Sequence, residues 1–398
     1  MSEYLFVPGR TSELCQAEIE AVLSRNKIIY KLIFSSPEIF HIFTPNLLDA
    51  NLLIHVLGGT IKIAEVVEFV EDRDDDVIID KLTTLLRRNI KDLQRKRVVF
   101  GLSGYNGICF NVLKQWSTKV KQKLEEFDLN ARFVLPSRGV VLASVVVSKQ
   151  KLTEIILVKE NNKIVLARTL VVQDFEDWGK RDFGRPAPDP HKGMLPPKVA
   201  RMMVNIGMSN IKTQMSNVTI LDPFCGVGTI LGEGLMLGLN VIGSDQSQEA
   251  IEKTRKNLEW LKSVYRLPST AYSLIESEAT HVSQKLSHGS IDAIVSEPYL
   301  GPVLADSRWQ MADRELKNII LGLEKLYLGC FRDWWKILKP QGRIVIALPS
   351  FRLDKREFFV KKPLDTCENF GYTLVAGPYQ YSRPQATVIR NIYILEKK

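Results

Sequence analysis

The sequence predicts an α/β chain: two small α+β modules, a connector, and a larger Rossmann-like domain built on a seven-stranded, mostly parallel sheet. Three observations predict it. Residues 218–245, VTILDPFCGVGTILGEGLMLGLNVIGSD, read as strand, glycine turn, helix and strand, with an acid at the end of each strand. Strand and helical patterns then alternate and close in a strand pair, as in a doubly wound sheet with an antiparallel last strand. Ahead of residue 173, short strands and helices alternate on a smaller scale.

Composition bounds the problem. At 398 residues, 45% hydrophobic and 25% charged, the chain is long enough for two or three globular domains. No apolar stretch reaches transmembrane length, and MSEYLFVPGRTSE lacks a signal-peptide pattern. Cys15, Cys109, Cys225, Cys330 and Cys367 are scattered and form no C-x-x-C, so reduced thiols, a cytoplasmic location and no metal site are expected. Net charge is +9, unevenly spread. Residues 1–76 hold six basic against thirteen acidic residues, whereas 77–170 hold eighteen against seven. A basic segment of that size suggests a polyanion partner, against the plainer reading of a solvated charged face.

In chain order, residues 3–8 look like a strand, and Ser12 caps a helix to about Leu23. Ile28–Phe34 and Ile39–Phe43 are strand-like, Pro45–Val56 helical, and Thr60–Val70 extended, which together suggest a ferredoxin-like module over 1–76. The acidic run 71–76 is expected as a solvated connection. A second module over 77–172 begins with a helix, Ile78–Leu93, whose polar face carries Arg87, Arg88 and Lys91. Arg95, Lys96 and Arg97 precede the strand Val98–Leu102. A helix over Phe110–Phe127 follows, then strands at Ala131–Leu135, Val140–Val147, Thr153–Lys159 and Lys163–Val172, with Arg138 in a basic turn. Residues 173–198 carry Pro186, Pro188, Pro190, Pro196 and Pro197, which prevent regular structure over most of this connector. The remaining domain, 199–398, opens with a helix over 197–209.

After Asp245 the pattern gives a helix at 248–264, a strand Ala271–Ile275, a short helix near 280–287 and a strand Ile291–Val295. A long helix, about 313–338, carries Trp334 and Trp335, both read as core. Arg343–Leu348, Tyr372–Ala376 and Val388–Leu395 are the last strands, the final two paired around residues 381–384.

A strand–turn–helix–strand unit ending on an acid holds a nucleoside: glycines let backbone approach the ligand, and the acid takes the ribose hydroxyls. Position 231 is Leu, so the third glycine of a dinucleotide fingerprint is missing, and no G-K-[ST] follows. Asp222 instead stands four residues before Gly226, with Phe224, Gly228 and Thr229 completing the turn. That arrangement resembles motif I of the S-adenosylmethionine-dependent methyltransferases, which implies that the acid and turn face the methionine end of that cofactor, with Asp245 on its ribose. Glu278, or its neighbour Glu276, falls where such enzymes place an acid for the adenine amino group; a plain surface carboxylate is the competing reading.

Ser296-Glu297-Pro298-Tyr299 resembles the [D/N/S]-P-P-[Y/F] motif of amino-methyltransferases. An exocyclic nitrogen is a weak nucleophile because its lone pair is delocalised into the ring. A side-chain oxygen and a proline carbonyl that accept from the amino group turn the lone pair toward the methyl carbon, and the aromatic ring stacks on the base. Two registers compete. Alignment on Pro298-Tyr299 puts Ser296 in the acceptor slot. Counting from Asp292 puts Glu297 there, Leu300 where the aromatic belongs and Gly301 on the final glycine; it needs no gap and keeps strand phase, and it is preferred.

With RDFGRPAPDPHKGMLPPKVARMMVN, LDPFCGVGTILGEGL and IVSEPYLGP together, the chain from Gln173 to Leu395 resembles the THUMP-domain tRNA methyltransferases, the branch of archaeal and eukaryotic tRNA guanosine-10 N2-methyltransferases above all. The resemblance implies a THUMP RNA-binding domain over 77–172, a linker over 173–198, tRNA as partner and methyl transfer to guanine N2. Competing expectations are an adenine N6-methyltransferase and a non-catalytic RNA-binding protein. The sequence neither indicates nor excludes an accessory subunit.

Overall fold

The computed structural model describes residues 2–71, 74–93, 97–189, 194–211, 213–268, 272–302, 313–353, 356–382 and 386–398; the side chains of 89–93 and 313 lie outside this description. Two compact units divide the chain: Met1–Gln16 with Lys27–Glu176, and Ala17–Asn26 with Asp177–Lys398.

The first part of the chain runs β1 (Ser2–Pro8), α1 (Ser12–Arg25), β2 (Lys31–Ser35), β3 (Phe40–Thr44), α2 (Ala50–Val56) and β4 (Thr60–Glu71). These make a βαββαβ unit with strand order β2-β3-β1-β4, the ferredoxin-like arrangement. Asp49 starts α2 by accepting from the Leu52 amide at 2.9 Å. Next come α3 (Asp75–Leu93), β5 (Arg97–Tyr105), α4 (Phe110–Glu125), β6 (Asn130–Val134), α5 (Ser144–Gln150), β7 (Thr153–Glu160) and β8 (Lys163–Val172). Because β4 pairs antiparallel with β8, both modules share one sheet, β2-β3-β1-β4-β8-β7-β5-β6.

Residues 144–150 correct the expected strand Val140–Val147. Their β-branched run reads as a strand, but β6 and β7 both pair parallel with β5, and such a connection needs a crossover. The chain therefore turns helical and buries Val147 beside Leu142 and Leu152.

The second unit contains α6 (Phe175–Phe183), α7 (Pro197–Gly207), β9 (Thr219–Asp222), α8 (Thr229–Met236), β10 (Asn240–Asp245), α9 (Gln248–Tyr265), β11 (Tyr272–Glu276) and β12 (Ile291–Ser296). It continues with α10 (Asp313–Ile337), β13 (Leu338–Leu353), β14 (Arg356–Phe359), α11 (Lys362–Asp365), β15 (Tyr372–Tyr381) and β16 (Val388–Lys397). The strand order is β11-β10-β9-β12-β13-β16-β15, with β14 paired to β13. The pairs from β11 to β13 are parallel and β16 is antiparallel to both its neighbours.

Strand alternation divides the side chains between two covering layers. Leu221, Ile294, Ile344 and Ile346 pack with Tyr327, Phe331 and Trp334 of α10. The alternate residues Ala293, Val295 and Val345 lie within 3.1–3.6 Å of where a Cβ on Gly207 of α7 would stand, and Ile220 and Val241 lie likewise at Gly234 of α8. Helices therefore cover both faces, as a mostly parallel sheet requires.

Three smaller expectations are corrected here. The connector is not irregular through its first half, because no proline precedes Pro186 and residues 175–183 are free to form α6. The short helix near 280–287 is a single 3-10 turn, Val282–Gln284. Trp334 is fully buried, but Trp335 is 44% exposed, with Lys397 Nζ lying 4.1 Å from its ring centroid. In the expected final turn, Arg383 and Pro384 lie outside the described residues. Among the described residues no helix is long and apolar enough to cross a membrane, and no group of three or more His, Cys, Asp or Glu stands where it could hold a metal ion.

Candidate active site

The strand order of the second unit reverses between β9 and β12: from β9 the chain works outward to β10 and β11, then returns to β12 and works outward to β13. Ligands of such sheets bind outside the carboxyl ends of the strands at that switch. β9 ends on Asp222 and β12 on Ser296, and Ser296 Oγ donates to Asp222 Oδ1 at 2.7 Å. The Phe224 amide donates to the same oxygen at 3.1 Å. Asp222 is almost fully buried, and burial pushes its carboxyl up to about 7. The Ser296 and Phe224 hydrogen bonds oppose the rise, while the charges of Asp245 and Glu297 add to it.

The turn after Asp222 is built for close approach. Gly226 and Gly228 have φ of +54° and +82°. A Cβ on Gly228 would stand 2.8 Å from Thr254 Cγ2, whereas one on Gly226 would meet only the Phe224 carbonyl oxygen, at 3.9 Å. The first glycine thus faces an open cradle and the second a packed helix. α9 holds the turn from behind: Thr254 Oγ1 donates to the Gly226 carbonyl and Asn257 Nδ2 to that of Val227, at 2.8 and 2.9 Å. At the tip of β10, Asp245 accepts from the Gly226 amide at 3.1 Å and the Ser247 amide at 3.0 Å. Each carboxylate oxygen retains a second lone pair for a ligand hydroxyl.

Beyond β12 the chain turns outward. Glu297 is largely buried and forms an ion pair with Arg390 Nε of β16. Pro298 is buried, and Tyr299 presents a ring 55% exposed while its carbonyl accepts from Tyr327 Oη at 2.6 Å. Gly301 has φ of +98° and lies against Phe351 and Ile319.

Asp222, Phe224, Gly226, Gly228, Asp245, Ser296 and Glu297 thus gather at one sheet edge, through the direct bonds and charges just described. Thr229 opens α8 there and accepts from Arg185 Nη1 at 2.7 Å. Glu276 stands beside Asp245 in the β10–β11 register, whereas Glu278 lies two residues on, exposed, with His281 Nδ1 at 3.3 Å. Sequence reasoning missed Arg185 and Arg390. Arg185 carries a signal in its place between Gly184 and Pro186; Arg390 carries none.

In the first unit, Arg87 lies on α3 with its guanidinium 3.5 Å from the Phe127 ring centroid, and Arg88 is exposed. Arg97 is exposed at the amino end of β5. Arg138 is exposed beyond β6, past the carboxyl end of the β5–β6 pair, so the structure does not bring it beside Arg97. Lys91 lies on α3 with its side chain outside the description, and Arg95 and Lys96 lie outside the described residues. On α4, Lys119 and Lys123 pair with Asp76 and Asp80 at 3.5 and 2.5 Å.

Comparison with known proteins adds three findings. The model of a family described as DNA methylase matches residues 106–256, a span that includes Asp222 and Asp245 and stops short of Glu297. The tRNA (guanine(10)-N2)-dimethyltransferase of Pyrococcus abyssi (strain GE5 / Orsay) is 28% identical over 219 residues, covering 55% of this chain and 53% of that protein. The enzyme of the same name from Methanothermobacter thermautotrophicus is 35% identical over 193 residues, covering 48% and 49%. The chain thus spans about half the length of the curated relatives it matches. The crystal structure of TrmN from Thermus thermophilus superposes over 100% of both chains with a TM-score of 0.56 at 13% identity, and the chain has that α/β fold.

Proposed function

We propose that this chain transfers a methyl group from S-adenosylmethionine to the exocyclic N2 of a guanosine in tRNA, at position 10. The observation that carries the reading is the Asp222–Ser296 bond at the switch point, which joins the glycine turn to the Glu297-Pro298-Tyr299 segment at one edge. Two relatives whose names specify guanine-10 N2 of tRNA support the choice of substrate.

The residues present fit the cofactor. Asp222 is a buried acid that gains by meeting a cation such as the methionine ammonium, and the open cradle at Gly226 leaves room for it. Asp245 suits the ribose hydroxyls, with Phe224, Gly228 and Thr229 completing the turn. Glu276 or Glu278 would take the adenine amino group. When bound, the cofactor supplies an electrophilic methyl carbon on a sulfonium.

Glu297 accepts from the guanine amino group, which turns the nitrogen lone pair toward that carbon. Its charge then stabilises the positive character the nitrogen gains as the new bond forms and the carbon–sulfur bond breaks. The surplus proton leaves through the same hydrogen bond. The Pro298 carbonyl is a second acceptor, and the exposed Tyr299 ring is a stacking platform for an extracted base. Full burial of Ser296, with its hydroxyl given to Asp222, favours Glu297 as the acceptor. Gly301 at positive φ fits the final glycine of the same register. Residues 77–172 are read as a THUMP domain binding tRNA through Arg87, Arg88, Lys91, Arg95, Lys96, Arg97 and Arg138. A tRNA substrate and free cysteines fit a cytoplasmic location.

Mass spectrometry of nucleosides from unmodified tRNA treated with protein and cofactor tests the reading. N2-methyl- or N2,N2-dimethylguanosine is expected. N6-methyladenosine would replace it with the adenine reading, and no product with the non-catalytic one.

A further inference from the structure

Glu297 occupies a position where the related motif carries an aspartate. The extra methylene adds a rotatable bond, so the longer arm has more ways to miss the base. Its surroundings are also unfavourable to a third negative charge. The charges of Asp245 and Glu297 both raise the carboxyl of Asp222, and Tyr327 feels the charge of Glu297. Something must both aim this carboxylate and balance it.

Arg390 does both. It sits on β16 opposite Pro349 of β13 and Tyr381 of β15, in the middle of an antiparallel three-strand segment whose backbone is fixed by both neighbours. Its Nε donates to Glu297 Oε1, and its guanidinium lies 5.8 Å from the Tyr381 ring centroid. Both partners are largely buried, with side chains 11% and 16% exposed, so the attraction is only weakly screened by solvent. A carboxylate offers about four lone-pair sites, so it can accept from an incoming amino group beside the guanidinium.

We infer that Arg390 is a positioning residue for methyl transfer: from the last strand of the sheet it fixes the Glu297 carboxylate toward the target amino group and balances its charge beside Asp222. The inference rests on the methyltransferase reading above and adds to it a residue 93 positions from the motif it serves. Segment 296–299 is then held by Ser296 on Asp222, by Glu297 on Arg390 and by the Tyr299 carbonyl on Tyr327.

A kinetic double-mutant cycle on the full chain tests it, with thermal unfolding confirming that each variant folds. Arg390→Gln should lower kcat about 10- to 100-fold, while KM for tRNA and affinity for the cofactor stay within about twofold. Arg390→Lys, which keeps the charge but not the planar guanidinium, should recover part of the loss. Glu297→Gln should cost roughly two to three orders of magnitude in kcat. Adding Arg390→Gln to it should cost less than about threefold more, because the carboxylate that Arg390 positions would already be gone. The double variant also removes both buried charges, so it reports even if the single Arg390→Gln misfolds: a further 10-fold loss in it overturns the proposal. So does an Arg390→Gln enzyme of normal kcat, or one whose loss lies in KM. An active wild type with additive losses overturns this proposal alone; a wild type that transfers no methyl to any nucleic acid overturns the methyltransferase reading and this inference with it.

Discussion

Glu154 of the first unit and Asp222 of the second are both buried carboxylates, and they are treated in opposite ways. In the first unit, Glu154 is fully buried and fully answered: Lys62 Nζ and Ser103 Oγ both donate to Oε1 at 2.5 Å, and Thr169 Oγ1 donates to Oε2 at 2.7 Å. Lys62 also donates to the Leu142 carbonyl and Ser103 accepts from the Leu142 amide, so the cluster pins the segment that follows Arg138. In the second unit, Asp222 faces a hydroxyl, an amide and two further acids. A buried acid with a cation and donors on both oxygens is a brace. One held among acids at a sheet's switch point is poised for a cationic ligand.

The largest expected effect breaks the brace. Lys62→Met leaves Glu154 charged and buried, a change that costs about 3–5 kcal/mol. Denaturant titration should show that loss, with cofactor affinity unchanged in the folded protein; a loss under about 1 kcal/mol would mean that the cluster does not bear on stability. Asp222→Asn should act with the opposite sign. The folded-state value of Asp222 lies above its ordinary 3.8, so its contribution to stability is full below that value and is lost as pH rises through about 7. Removing the carboxyl should flatten that decline and leave stability at pH 8 equal or higher. A steeper decline in the variant would contradict the burial argument.

The parts of the site that lie close in sequence are legible there. Asp222, Gly226, Gly228 and Asp245 declare themselves because a tight turn demands glycine and because strand ends deliver acids to one edge. What the sequence hides is long-range pairing. Arg390 reaches Glu297 only because β16 returns antiparallel to β13, and Ser296 reads as an alternative acceptor although the fold commits its hydroxyl to Asp222. Helix α5 is hidden because a β-branched run has no local sign of the crossover that the sheet imposes on it. Trp335 shows the converse limit, since helical spacing next to a buried Trp334 does not settle which of two adjacent tryptophans faces the core.

A middle-sized effect concerns the glycine turn. Asp245 holds the Gly226 amide and, on the proposed reading, takes the ribose hydroxyls, so Asp245→Ala should remove a ligand partner and loosen the turn together. Calorimetry should show S-adenosylmethionine affinity lowered about tenfold or more; unchanged affinity would take Asp245 out of the site.

The smallest expected effect concerns the basic surface of the first unit. Arg97, and Arg87 through its contact with Phe127 just ahead of β6, lie toward the amino end of the β5–β6 pair, with Arg88 next to Arg87 on α3, and Arg138 lies beyond the other end, so the two groups are separable. Replacing either with alanine should weaken tRNA binding and reduce the salt slope by up to about 0.7–0.9 for each phosphate no longer neutralised. Salt titrations of the two variants that coincide with wild type would reduce both groups to solvated surface.

On the proposed reading, Asp222 at the centre of the site is a buried acid held back from ionising until the cofactor's positive end arrives. Proton release on binding measures this directly, by titrating S-adenosylmethionine calorimetrically at pH 6 in two buffers of different ionisation enthalpy. With Asp222 titrating at about 7 before binding, the wild type should release close to one proton and bind more tightly as pH rises toward 8. Asp222→Asn should release almost none. Identical binding heats in both buffers for the wild type would contradict this role for Asp222.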